Sequence, residues 1–188
     1  MTVQANRIVG AGDKEKRKAS DFYPTPKEAT FALLDLLAPY LRAGGVIWEP
    51  ACGERDMVNA MRERGYTAMG TDITEGVDFL TEPTPPAAEW IITNPPFSLA
   101  EAFIRRAHES GRPFALLLKS QFWHAAGRLP LFTSCAPDII APLTWRPDFN
   151  FKSGKRGSPL MDVMWCIWLP RIHKTGTTRY IPLEKPRE

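Results

Sequence analysis

The stretch that decides the reading runs from Glu89 to Ser98, EWIITNPPFS. The apolar run Trp90-Ile91-Ile92 has the character of a buried strand, and Asn94-Pro95-Pro96-Phe97 stops it at once. Two prolines remove two backbone donors and fix two φ angles, so a strand cannot continue through them. Each residue before a proline is pushed towards extended backbone, which holds Asn94 and Pro95 in open, non-helical geometry. The product is a rigid, carbonyl-rich corner carrying a carboxamide and an aromatic ring. A lone Asn-Pro would read as a turn that ends a strand; the whole corner asks for a use.

Working outward, the chain alternates strand and helix signals. Thr25-Pro26-Lys27-Glu28 reads as a capping box, with Thr25 as N-cap and Pro26 at the first helical position. The helix it opens carries Leu33, Leu34, Leu36, Leu37 and Leu41, with Gly44 as its stop. Val46-Ile47-Trp48 is a short apolar strand, and Asp56 to Arg64 is helical in pattern, with Met57, Ala60 and Met61 on one face. Tyr66 to Thr71 reads as a second strand ending at Asp72. After the proline-rich connector 81–88 come the strand Trp90 to Thr93 and a second capping box, Ser98 to Glu101. That box opens a helix through His108, closed by Gly111. Phe114 to Leu118 and Met161 to Leu169 are the remaining buried strands. The alternation predicts an α/β fold, a mostly parallel sheet with helices on both faces.

Composition sets outer limits. A chain of 188 residues, 44% apolar and 24% charged, suits one soluble domain with a real core. The net charge of +3 is only mildly basic, but its placement is uneven. Arg7, Lys14, Lys16, Arg17 and Lys18 crowd a polar, aperiodic tail over 1–20, and Arg146, Lys152, Lys155 and Arg156 crowd a second segment. Cys52, Cys135 and Cys166 lack the spacing of a zinc site or a disulfide framework, so no metal is expected, and free thiols suit a reducing cytoplasm. The longest apolar run, Val163 to Leu169, is too short to span a bilayer. The domain is expected over 21–175, with a C-terminal tail over 176–188.

In sheets of this kind ligands gather at the carboxyl ends of the strands, near the switch in strand order. The first strand ends in Glu49-Pro50-Ala51-Cys52-Gly53, the second in Asp72 and the third in Asn94-Pro95-Pro96-Phe97. A glycine turn followed about 20 residues later by an acid is a nucleotide-binding pattern, in which the acid takes ribose hydroxyls. Any one of these features is common in α/β proteins, and the three in register are not.

On these residues the sequence resembles the S-adenosylmethionine-dependent DNA adenine-N6 methyltransferases, particularly the compact form of phages and prophages. The resemblance covers roughly 20 to 170 and rests on DFYPTP (21–26), WEPACGERDM (48–57), TDI (71–73), GVDFL (76–80), TNPPFS (93–98), LTWRPDF (143–149) and GSPLMDVMW (157–165). It implies a Rossmann-like class I methyltransferase, with the usual third strand short or missing because 76–88 holds little apolar sequence. It implies a bacterial cytoplasmic setting, S-adenosylmethionine as cofactor and double-stranded DNA as partner. Asn94 Oδ1 and the Pro95 carbonyl, braced by Pro96, would accept from the adenine amine while Phe97 stacks on the base, which is flipped from the duplex.

The same resemblance places the turn Glu49, Pro50, Ala51, Cys52 and Gly53 against the methionine part of the cofactor, and Asp72 on the ribose with Ile73 beside it. Asp78 would accept from the cofactor's adenine amine with Phe79 packed on its ring. Phe22, Tyr23 and Thr25 would flank the cofactor. The loop around 143–160 would contact DNA through Trp145, Arg146, Lys152, Lys155 and Arg156, and Lys119 and Ser120 fall where a further wall of the site belongs. One departure stands out: Arg55 occupies the place of a second glycine and is expected to point away from the cofactor. Two other readings remain open. One is a protein glutamine-N5 methyltransferase, whose Asn-Pro-Pro corner more often ends in Tyr. The other is a non-catalytic nucleic-acid-binding descendant.

Overall fold

The computed structural model describes residues 23–151 and 161–187. The basic tail 1–20, Phe22, Lys152, Lys155 and Arg156 lie outside the described residues. The described elements are α1 (Lys27–Leu37), β1 (Val46–Glu49), α2 (Asp56–Glu63), β2 (Thr67–Gly70), β3 (Ala88–Thr93), α3 (Ala100–Glu109), β4 (Phe114–Lys119), α4 (Leu129–Ser134), β5 (Ile139–Pro142), β6 (Val163–Trp168) and β7 (Arg179–Tyr180). They form one seven-stranded sheet in the order β2-β1-β3-β4-β6-β5-β7. β1 pairs in parallel with β2 and β3, β3 with β4, and β5 with β7, while β6 runs antiparallel to both β4 and β5. Six strands therefore run one way and β6 alone opposes them.

The strands read as unbroken apolar runs because both faces of the sheet are covered. Alternate side chains feed two separate cores. Ile47, Trp90, Ile92, Ala115, Leu117, Trp165 and Ile167 meet Leu33, Leu34 and Leu37 of α1 and Met57, Val58 and Met61 of α2. Trp48, Ile91, Leu116, Leu118, Met164, Cys166 and Trp168 meet Phe103, Ile104 and Ala107 of α3 and Leu131 of α4. Helices thus cover both faces, as the alternating pattern predicts. No strand forms between Gly70 and Ala88, and Ile73–Glu75 is instead a single 3-10 turn. Among the described residues no helix is long and apolar enough to cross a membrane.

Four expectations need correction. α1 starts after Pro26 with no side-chain cap, and the Thr25 hydroxyl is used elsewhere. It ends at Leu37 rather than near Gly44, because Pro39 has no N–H to return to the carbonyl of Asp35. α3 starts after Leu99, since Phe97–Leu99 forms a 3-10 turn on the heels of the two prolines, so Ser98 is not its N-cap. Finally, part of the stretch assigned to a C-terminal tail belongs to the sheet: Arg179, Ile181 and Leu183 donate backbone N–H groups to the carbonyls of Asp138, Ile140 and Pro142.

Candidate active site

β1 lies between β2 and β3, so the chain leaves it in opposite directions and the carboxyl ends of these strands open a crevice at the switch point. Glu49, Asp72 and Asn94 all sit at that edge.

At the end of β3, the Asn94 Nδ2 donates to the Tyr23 carbonyl at 3.2 Å and to the Thr25 hydroxyl at 3.1 Å. A carbonyl can only accept, so the contact to Tyr23 fixes which end of the carboxamide is the amine. Asn94 Oδ1 is therefore the end left over, and it is buried without a hydrogen-bond partner among the described residues. The Pro96 carbonyl accepts from the Leu99 N–H at 2.8 Å, which leaves the Pro95 carbonyl as the other acceptor of the corner. The Phe97 ring lies 5.5 Å from the Tyr23 ring, and Tyr23 meets Phe149 edge-on at 6.0 Å. The segment before α1, the proline corner and the loop after β5 are thereby packed together.

At the end of β2, Asp72 is only 8% exposed. Its Oδ2 accepts from the Gly53 N–H at 2.9 Å and its Oδ1 from the Thr74 N–H at 2.8 Å. The acid thus ties the turn after β1 to the turn after β2, and each carboxylate oxygen keeps capacity for a further donor. Gly53 has φ 47° and the Cys52 N–H donates to the Thr71 carbonyl at 3.0 Å. Gly70 permits this approach, because a Cβ there would lie 2.8 Å from Val58 Cγ2 and 2.9 Å from Cys52 Cβ. Beside Asp72, the apolar Ile73 is left 39% exposed.

Glu49, at the end of β1, is 3% exposed and its Oε2 has no partner among the described residues. Burial raises its pKa well above the carboxylate range; the charges of Asp56 and Asp72 push the same way, against the Val58 N–H and Arg55. Burial also lifts the Cys52 thiol to about 11, with Glu49 adding to the rise. A thiol so raised stays protonated at neutral pH and is no nucleophile.

Arg55 is the one non-glycine residue at positive φ among the described residues, at φ 66° and ψ 22°. That is a left-handed backbone shape that glycine adopts without strain. Its Nη1 donates to the Gly70 carbonyl at 3.2 Å and its Nη2 pairs with Glu75 Oε1 at 2.6 Å. The guanidinium is tied to the edge of β2.

The other candidates are placed less directly. Asp78 is half-buried and its Oδ1 accepts from the Leu80 N–H at 3.0 Å, as a turn cap. Phe79, expected against a cofactor ring, is a core side chain 2% exposed, between Trp48 at 5.4 Å and Phe103 at 4.8 Å. Arg146 pairs with Asp162 at 2.8 Å, which raises its pKa and occupies the guanidinium. Trp145 is half-buried, its Nε1 without a partner among the described residues.

Sequence reasoning did not single out Gln121 or Arg128. Both line an open cleft of about 390 Å³ beside the corner, with Phe97, Ser98, Ala100, Lys119 and Phe122. The signal for it was positional. β4 runs parallel to β3, so whatever follows Lys119 must emerge beside Asn94.

No protein-family model matches the chain, and no curated protein matches it. Solved structures do. It aligns with a putative class I S-adenosylmethionine-dependent methyltransferase from Listeria monocytogenes at TM-score 0.59 and 16% identity, covering 85% of this chain and 65% of that one. It aligns with a modification subunit of a putative type I restriction enzyme from Vibrio vulnificus at TM-score 0.57 and 15% identity, covering 92% of this chain and 52% of that one. The chain therefore spans about two thirds and about half of those two proteins. At such identities the likeness is one of architecture: the chain has the fold of the class I S-adenosylmethionine-dependent methyltransferases.

Proposed function

We propose that this protein is a DNA adenine-N6 methyltransferase that uses S-adenosylmethionine. The observation that carries the reading is the state of Asn94. Its amine end is held by Tyr23 and Thr25, and its oxygen is a buried acceptor awaiting a donor. A base amine is a poor nucleophile because its lone pair is delocalised into the ring. Acceptors aimed at both N–H bonds, Asn94 Oδ1 and the Pro95 carbonyl, draw the nitrogen towards tetrahedral geometry and stabilise the positive charge it gains. Such preorganised dipoles act without reorganising during the reaction. Phe97 supplies a face for the base, and stacking of this kind contributes about 1–3 kcal/mol.

The residues at the strand ends fit the cofactor. Asp72 retains acceptor capacity for ribose hydroxyls, Ile73 offers an open apolar face, and the buried Oε2 of Glu49 lacks a partner among the described residues. Glu49, Pro50, Ala51, Cys52 and Gly53 would hold the methionine part, and Asp78 the adenine amine. When bound, the cofactor supplies an electrophilic methyl group on a sulfonium. Phe22 and the loop residues Trp145, Arg146, Lys152, Lys155 and Arg156 stay in the proposal as cofactor and DNA contacts. Arg146 must first exchange Asp162 for phosphate.

The test is to express the protein in a host free of adenine methylation and analyse the DNA by nucleoside composition and single-base sequencing. The expected result is N6-methyladenine at a defined site. Methylation of protein glutamine instead would replace this reading, and cofactor binding without methylation of any polymer would favour a non-catalytic descendant.

A further inference from the structure

An open cleft of about 390 Å³ lies beside the proline corner, lined by Phe97, Lys119, Gln121, Phe122 and Arg128. Lys119 Nζ stands 4.4 Å from the centre of the Phe97 ring. In the same lining the Arg128 guanidinium lies 4.1 Å from the Phe122 ring centre and donates to the Phe122 carbonyl. Neither cation pairs with a carboxylate of the described residues, although six other lysines and arginines there stand within 3.2 Å of one. Gln121, also exposed, adds a carboxamide to the lining. Two unneutralised charges, each resting on an aromatic face, flank an open slot whose wall is the ring expected to stack on a base.

From this we infer that the cleft is a backbone-phosphate site, in which Lys119 and Arg128 hold the DNA strand next to the extruded nucleotide. The inference rests on the DNA reading above and deepens it. The arrangement is local: Lys119 is placed by the end of β4, parallel to β3, and Arg128 by the turn that enters α4. Lys119 Nζ stands over the Phe97 ring, so a base that stacks there displaces the ammonium onto the neighbouring phosphate, within one nucleotide of that base. A planar guanidinium held by its contact to Phe122 keeps four other N–H donors for phosphate oxygens. Phosphate contacts of this kind position a strand and carry no sequence preference.

The experiment measures binding of a short adenine-containing duplex across a salt series, for the wild type, for Lys119→Gln with Arg128→Gln, and for Lys119→Arg with Arg128→Lys. Two lost phosphate contacts lower the slope of log K against log salt by about 1.8 and cost roughly 10- to 100-fold at low salt. The charge-conserving pair should keep the wild-type slope. Thermal melts and calorimetry with S-adenosylmethionine check that the fold and the cofactor site stand; if the double Gln variant does not fold, Lys119→Gln alone should lower the slope by about 0.9. A wild type that binds DNA with a steep slope, retained in folded Gln variants, overturns the phosphate site and leaves the DNA reading intact. A wild type that binds cofactor but shows no salt-dependent DNA binding overturns both.

Discussion

Replacing Arg55 by Gly and, separately, by Ala separates two things the residue does. Both changes remove the same side-chain contacts, the pair with Glu75 and the hydrogen bond to the Gly70 carbonyl, so these cancel in the comparison. They differ at the backbone. At φ 66° an L-residue bears about 1–2 kcal/mol that glycine does not. Ala recovers about 0.4–1 kcal/mol of this by restricting the unfolded chain. Arg55→Gly should therefore be more stable than Arg55→Ala by about 1 kcal/mol, or roughly 2–4 °C in Tm for a chain of this size. This is the reverse of the order in a helix interior, where Ala leads by about 1 kcal/mol. The assay is paired thermal and urea unfolding of the two variants. Equal stability, or Ala ahead, refutes a left-handed residue at this position. S-adenosylmethionine affinity read on the same samples should change by less than about threefold in Arg55→Gly, because the guanidinium is tied to Gly70 and Glu75; a gain beyond tenfold would mean that Arg55 obstructs the cofactor.

Three further outcomes follow from the same geometry. Asp72→Ala leaves the Gly53 and Thr74 N–H groups without their acceptor, so it should cost about 1–3 kcal/mol of stability as well as cofactor affinity; a melt and a titration that both match wild type would remove Asp72 from the site. Gly70→Ala drives a methyl group against Val58 and Cys52 and should destabilise by about 1–3 kcal/mol in urea unfolding, and an unchanged midpoint would contradict the close packing. Glu49 has a folded pKa raised by burial, so the native state binds more protons than the unfolded chain above about pH 4.5. Its contribution is thus greatest in acid and falls as pH rises towards the folded pKa, by at most about 1.4 kcal/mol per pH unit. Glu49→Gln should flatten that fall and gain on the wild type as pH rises from 5 to 8; parallel profiles would refute a neutral buried carboxyl.

The parts of the fold that local chemistry dictates were legible in the sequence. The prolines after Thr93 end β3 wherever the chain goes, and the apolar runs of β1, β4 and β6 are strong because both faces are buried. β5 has only three apolar residues before Pro142, too short a run to read as a strand, and β7 is two polar residues held by backbone bonds to β5. In the site, the strand ends gave Glu49, Asp72 and Asn94. What holds Asn94 was not readable, because its partners lie 71 and 69 positions away and Thr25 looked like a helix cap. That the Phe79 ring packs between Trp48 and Phe103 was not readable either, because a motif names a residue but not the direction its ring takes.

The most direct test of the account is single-turnover methyl transfer to DNA by wild type and Asn94→Ala, with cofactor affinity measured alongside. Asn94 supplies an acceptor that matters most as charge develops on the amine, so the account predicts unchanged S-adenosylmethionine affinity and a loss of roughly 10²–10³-fold in the transfer step, in line with removing one preorganised hydrogen-bond partner. Wild-type transfer of methyl groups to adenine by Asn94→Ala at saturating DNA would contradict it.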